Sequence, residues 1–246
     1  GASPPVLGCE PVADGLLAKL ANGRLRLSVC SARSVRVLFT PGDRPVARSL
    51  AVARPCAGYH EFTVRATAST LSLVTGQMEA RLDRATGAVA FFDVAGRPLL
   101  SESPGGRSLV PAQVLGQQTH HAQQCFDWAS DEGLYGLGAQ QSGLVNYRGH
   151  DVLLVQENTV DVVPVLVSSR GYGILWDNAS ETRLRDAAAS RPAGPSSASS
   201  VRPGALWSQM AEAVDYTFFY GPSLDEVVAA YRQLTGSAPL YPRWAY

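Results

Sequence analysis

From Leu16 onward, apolar and polar residues alternate along the chain with a period of two. Leu25, Leu27 and Val29 alternate with Arg24, Arg26 and Ser28, and Val35, Val37 and Phe39 with Ser34 and Arg36. Successive side chains of a strand point to opposite faces, so this pattern predicts half-buried β-strands. The stretches "HEFTVRAT", "STLSLVTG" and "QMEARLDRATGAVAFFDVAGRPLLSES" continue it, with "DRATGAV" and "DVAGRP" carrying the Asp and Gly of tight turns. Strand follows turn without an intervening helical period, which predicts antiparallel sheets rather than βαβ units. Further on, "TVDVVPVLVSSRGYGILWDN" is rich in β-branched residues, and Gly171 and Gly173 flank Tyr172 in what reads as a hairpin turn between two strands.

Three regions depart from this rhythm. Residues 107–131 include "QQTHHAQQCFDWASDEG", polar enough to be a loop or the exposed edge of a long strand. Residues 187–204, "AAASRPAGPSSASSVRPG", have the composition of a flexible loop or linker that buries no core. The one helix is "SLDEVVAAYRQLTG": Ser223 and Glu226 form a capping box, Leu224, Val227, Val228, Tyr231 and Leu234 share a face, Gly236 stops it and Pro239 prevents its continuation.

Composition narrows the function classes. The chain has 246 residues, 46% of them hydrophobic and 17% charged, which suits a globular core and, for an all-β chain, a single sandwich. Lys plus Arg and Asp plus Glu are 21 each, with no basic run among aromatics, so a nucleic-acid partner is not expected. No apolar stretch is long enough to span a bilayer, and no membrane partner is expected. Cys9, Cys30, Cys56 and Cys125 are spaced too irregularly for a thiolate metal site. They read either as buried thiols or as including one disulfide, the latter suiting a periplasmic or secreted protein.

The candidate chemistry is sparse. Asp127, Asp131 and Glu132 read as turn residues on a solvated surface, and Asp177 and Asp215 as strand-end residues, so no pair of carboxylates stands out for glycoside hydrolysis. His120 and His121 are adjacent and should face opposite ways on a strand; with His150 they are read as surface or packing residues. "GLGAQQSG" lacks a following helix and is no phosphate loop, and neither a cofactor nor a metal is expected. Gln140, Gln141, Asn146, Tyr147, Arg148, Gln156 and Asn158 suit a neutral polyol, but equally the polar tip of an ordinary hairpin.

The ordered segments "LYGLG", "NYRGHD", "VQENT", "SSRGYGILWDN", "YTFFYGPSLDEVVAAYRQLTG" and "PRWAY" resemble the N-terminal β-sandwich of glycoside hydrolase family 31, in its α-xylosidase-like branch. The resemblance runs from about Leu71 to the end of the chain; before that only the strand pattern fits. It implies a mainly β fold, an antiparallel supersandwich of galactose-mutarotase-like type over 1–222, with the helix and linker of 223–246 leading into a (β/α)8 catalytic barrel that is absent. It further implies that the parent is a retaining α-glycosidase in which the barrel supplies both aspartates. This chain alone is then inactive, with no catalytic residue of its own. Its partners are that C-terminal barrel and an oligosaccharide such as a xyloglucan fragment. Arg148, Asp151, Gln156 and Asn158 are the residues expected to line the rim of the substrate pocket. Ala139, where the family often has Glu, and Val165, where an aromatic often follows the proline, depart from its pattern; 187–204 lies near the point where some relatives carry an inserted module. A stand-alone carbohydrate-binding module, or an aldose mutarotase using histidine, are the alternatives.

Overall fold

A computed structural model describes the chain apart from residues 1–3, 43–45, 47, 55, 57, 188–203, 239, 241 and 246. The low-complexity stretch, but for its ends, and Pro239 therefore lie outside the described residues. The chain opens with β1 (Val6–Val12), β2 (Gly15–Leu20), β3 (Gly23–Ser31) and β4 (Ser34–Thr40), a meander. A second meander follows: β5 (Phe62–Ala66), β6 (Thr70–Thr75), β7 (Met78–Asp83), β8 (Val89–Asp93) and β9 (Pro98–Ser101). Next come β10 (Ser108–Val114), β11 (Gln117–Cys125), β12 (Leu134–Ala139), β13 (Asp151–Leu154), β14 (Asp161–Ser168) and β15 (Tyr172–Trp176). The chain closes with β16 (Thr182–Arg185), β17 (Ala205–Ala211), β18 (Val214–Tyr220) and the helix α1 (Leu224–Thr235).

These strands form three antiparallel sheets. One of eight strands has the order β1-β2-β3-β4-β18-β15-β14-β12; two of five strands have the orders β10-β11-β17-β16-β13 and β5-β6-β7-β8-β9. The alternating residues read from the sequence are the ones that meet between them. Leu25, Val29, Val35 and Val37 are wholly buried, together with Leu73, Leu82 and Phe91 of the second meander. Phe91 of β8 stacks on Phe218 of β18 with ring centroids 4.0 Å apart, joining the small meander to the large sheet. Each such side chain, taken fully out of water, stabilises the fold by about 1.5–3 kcal/mol. Polar contacts cross the core as well: Trp176 Nε1 of β15 donates to Ser208 Oγ of β17 at 2.8 Å. Glu102, buried, accepts from Val89 N–H and from Tyr216 Oη at 2.8 Å each and pairs with Arg107. Burial pushes its carboxyl up, with Arg107 opposing.

The structure revises three sequence expectations about the strands and their connections. The polar stretch after residue 107 is only partly loop or edge: β10 is an edge and 127–133 lies outside any strand, but β11 lies between β10 and β17. It can lie there because its inward amide is satisfied, Gln124 Nε2 donating to the Cys125 carbonyl at 2.9 Å and Oε1 accepting from Arg107 at 3.2 Å. The turn between β14 and β15 is made at Gly171, with φ +81°, whereas Tyr172 and Gly173 already belong to β15. Gly173 lies under the Phe219 ring, 2.3 Å from where a Cβ would be, so it answers to packing and not to turning. Glu132, expected on a solvated surface, is buried.

The capping box of α1 is formed as expected, Ser223 accepting from Glu226 N–H and the Glu226 carboxylate accepting from Ser223. Its buried stripe is shifted, however. Val227, Ala230 and Leu234 pack on Val165, Leu175 and Phe219, on the outer face of the large sheet. Leu224 and Val228 remain 55% and 51% exposed. A disulfide joins Cys30 of β3 to Cys56, and close by in sequence Arg54 N–H donates to the Leu234 carbonyl of α1 at 3.1 Å.

Candidate functional site

The stretch "LYGLGAQQSGLVNYRGHD" forms no hairpin. Gly136 and Gly138 belong to β12, which pairs with β14 through a register shift between them, while Gly143 and Gly149 lie in the connection that follows. Gly136, Leu137 and Gly138 have φ of +100°, +62° and +88°. A Cβ on Gly138 would lie 2.0 Å from the Asp161 carbonyl oxygen, so glycine is required there by both conformation and space. A bulge and a turn demand the same residues, which is why the sequence suggested the wrong one.

Glu132 anchors the start of this segment. Its carboxylate accepts from Ala129 N–H at 2.8 Å, Ser168 Oγ at 2.5 Å and Tyr172 Oη. Burial, then the Glu132 charge, push the Tyr172 phenol well above its ordinary range. Asn146 Oδ1 accepts from Leu134 N–H at 3.0 Å and Arg148 N–H at 3.1 Å, and Tyr147 is buried, so the connection after β12 is knitted back onto the strand it left.

The four expected rim residues fall into two groups. Arg148 pairs with Asp186 and also donates to the Ala129 carbonyl at 3.3 Å. Asp151 Oδ1 accepts from the backbone N–H of Asp186 and Ala187 at 3.1 Å each, and its Oδ2 lies 3.7 Å from Arg185. These two residues thus tie β13 to the end of β16. Gln156 and Asn158 lie beyond the other end of β13, four residues of about 3.3 Å rise each. Gln156 donates to Asp161 Oδ1 at 3.1 Å and accepts from Val162 N–H at 3.0 Å, closing the base of a tight turn bridged at Glu157 and Val160. Asn158 is exposed at its tip.

Gln156 also borders a groove of about 1300 Å³ at the end of the sandwich, between the large sheet and the β10–β11 hairpin, with Thr40, Pro41, Gly42 and residues 48–51 along it. His120, Asp177 and Asp215 line it too. Asp215, read as a strand-end residue, is the buried second residue of β18, held by Arg36 from Nε to Oδ1 at 2.8 Å and from Nη2 to Oδ2. Burial raises its carboxyl, Arg36 opposes this, and the charge of Asp177 adds to the rise. The histidines divide as the strand period requires: His120 lines the groove, whereas His121 Nδ1 contacts the Gln209 carbonyl at 2.7 Å and its ring lies 5.2 Å from that of Trp207. Among the described residues no three His, Cys, Asp or Glu side chains come together as a metal site, and no helix is long and apolar enough to cross a membrane. Sequence reasoning passed over Asp177 as a groove residue; only its place just after a wholly buried strand hinted at it.

The geometry is that of a galactose-mutarotase-like sandwich, and sequence comparison agrees. The glycosyl hydrolase 31 N-terminal galactose mutarotase-like domain family matches residues 24–184. The chain belongs to this family. As a member of glycoside hydrolase family 31, it is 28% identical over 246 aligned positions to an α-xylosidase of Saccharolobus solfataricus, a match covering 93% of this chain and 30% of that protein. The family 31 α-xylosidase structure of Xanthomonas citri superposes with a TM-score of 0.81 at 24% identity, over 98% of this chain and 41% of that one. A Flavobacterium johnsoniae family 31 dextranase, complexed with glucose, does so with a TM-score of 0.77 at 22% identity, over 100% and 30%. The structural matches establish the same supersandwich fold. The chain spans 30% to 41% of the length of these relatives.

Proposed function

We propose that this chain is the non-catalytic N-terminal module of a retaining α-glycosidase acting on α-xylosides, and that it packs on a catalytic barrel in the longer parent and lends a turn to the rim of its substrate pocket. The family match over residues 24–184 carries the reading. The state of the carboxylates supports the non-catalytic part. Glu102, Glu132 and Asp215 are buried and each is committed to an arginine or to hydroxyl and backbone donors, as structural acids are. An α-xylosidase among the relatives favours a xyloside such as a xyloglucan fragment as substrate.

Within the rim, the roles divide by what each residue already touches. Asn158, exposed at the tip, is the group that meets the sugar, while Gln156 positions that tip through Asp161 and Val162. Arg148 and Asp151 hold the far end of β13 in place. The outward Leu224 and Val228 of α1 suit packing against the barrel. The Cys30–Cys56 disulfide fits a periplasmic or secreted location.

Assay on an aryl α-xyloside tests this reading. This chain should show no turnover and the longer parent should hydrolyse the substrate with retention. Turnover by the chain itself would place the chemistry here and refute the assignment.

A further inference from the structure

We propose that the groove beside Gln156 is a saccharide-binding surface in its own right, seating an oligosaccharide of several units deeper in the sandwich than the sugar at the Asn158 tip. The inference rests on the glycosidase reading for its ligand class and on the groove for everything else.

The polar groups at the groove are of two kinds. Asn178 donates to the Met210 carbonyl and accepts from Ser180, Glu181 pairs with Arg183, Asp215 pairs with Arg36, and Glu212 is likewise engaged. By contrast, Gln117, Gln118, His120 and Asp177 line the groove while their side chains make no hydrogen bond or ion pair within the described residues. These four present two carboxamides, an imidazole and a carboxylate, that is, planar donors and acceptors together, which is what vicinal hydroxyls require. Leu50, Val162 and Pro164 supply apolar surface along the groove, suited to the C–H faces of sugar rings. With the other three carboxylates partnered, the groove's remaining charges are one carboxylate, Asp177, and one exposed guanidinium, Arg48, so the groove selects neither a polyanion nor a polycation. The groove, at about 1300 Å³, exceeds the roughly 300–1000 Å³ that encloses a drug-sized ligand, and an oligosaccharide fills such a length where a monosaccharide does not.

The test is calorimetric and NMR titration of this chain with xyloglucan heptasaccharide, with xylotetraose and maltotetraose as further arms. Saturable binding with a dissociation constant on the order of 1 mM or tighter is expected for at least one of them. Losing one charged or imidazole hydrogen bond should weaken it about tenfold in Asp177→Ala and in His120→Ala. Gln118→Ala, on an exposed side chain, gives a smaller loss without any risk to folding, and Val94→Ala, exposed and outside the groove, should leave binding by the isolated chain unchanged. No saturation by about 10 mM with any of the three sugars overturns the proposal. So does binding lost in Asn158→Ala but intact in Asp177→Ala, which would confine the sugar to the tip, and so does binding indifferent to every variant, which would place it elsewhere. The glycosidase reading fails separately, if the longer parent is inactive on an aryl α-xyloside while this chain still binds its oligosaccharide.

Discussion

The two ends of β13 are equally polar in sequence and opposite in structure. At one end Arg148 and Asp151 are engaged by Asp186, Ala187 and Arg185, so their hydrogen-bonding capacity is used within the fold. At the other end Gln156 is engaged but Asn158 is left exposed at a turn tip. A polar side chain already satisfied by the protein fixes geometry; one left without a partner is available to a ligand. The same distinction separates Asp215, held by Arg36, from Asp177 beside it, whose backbone N–H donates to the Asp215 carbonyl at 3.0 Å, and it argues that density of polar residues alone identifies no site.

The comparison is sharpened most by breaking a fully committed group. Glu102→Ala leaves the guanidinium of Arg107, only 9% exposed, without its carboxylate, with the Gln124 and Gly87 oxygens as remaining acceptors. The expected cost is about 3–5 kcal/mol, or roughly 6–20 °C in melting temperature by differential scanning calorimetry. Gly138→Ala should come next, destabilising by about 1–3 kcal/mol because a Cβ there meets the Asp161 carbonyl in a left-handed conformation. A melting temperature within about 1 °C of the parent would show that the bulge is not what holds β12 on β14.

Arg148→Ala should cost about 1–3 kcal/mol by leaving the Asp186 carboxylate, among the described residues, with Gly149 N–H alone. Its effect belongs in a denaturant midpoint, not in a sugar isotherm. The smallest effect concerns the α1 capping box. Bonds from Ser223 and then Arg33 hold the Glu226 carboxyl below its ordinary range. A carboxyl lowered on folding contributes stability that is present above the unfolded glutamate value and lost as pH falls through the folded one. Amide shifts of Ser223 and Glu226 followed by NMR from neutral pH downward should therefore report fraying of the first turn only at acid pH, and Glu226→Gln should abolish that titration.

How much of this was legible in the sequence depended on how local the signal was. The strands from Leu25 to Phe39 and the meander from Phe62 to Ser101 follow a two-residue alternation that needs no partner to be read. The helix start was equally local, because Ser223 and Glu226 are three residues apart. The face that α1 buries was not local: it is chosen by Val165, Leu175 and Phe219 of β14, β15 and β18, so Ala230 replaced Leu224 and Val228 in the stripe. β11 was missed because Gln124 is polar in sequence and satisfied in space. Glu132 was misread for the same reason, since its donors at Ser168 and Tyr172 lie nearly forty residues away. The groove was invisible because β11, β15 and β18 bring His120, Asp177 and Asp215 together only once folded.

The central claim is that the exposed tip, and not the committed end of β13, meets the substrate. Steady-state kinetics of the longer parent on a xyloglucan oligosaccharide, comparing Asn158→Ala with Arg148→Ala, test it most directly. The expected result is a KM raised about tenfold in Asn158→Ala with an unchanged melting temperature, and a lowered melting temperature with near-parental KM in Arg148→Ala. A parental KM in Asn158→Ala, with a raised KM and unaltered stability in Arg148→Ala, would contradict it.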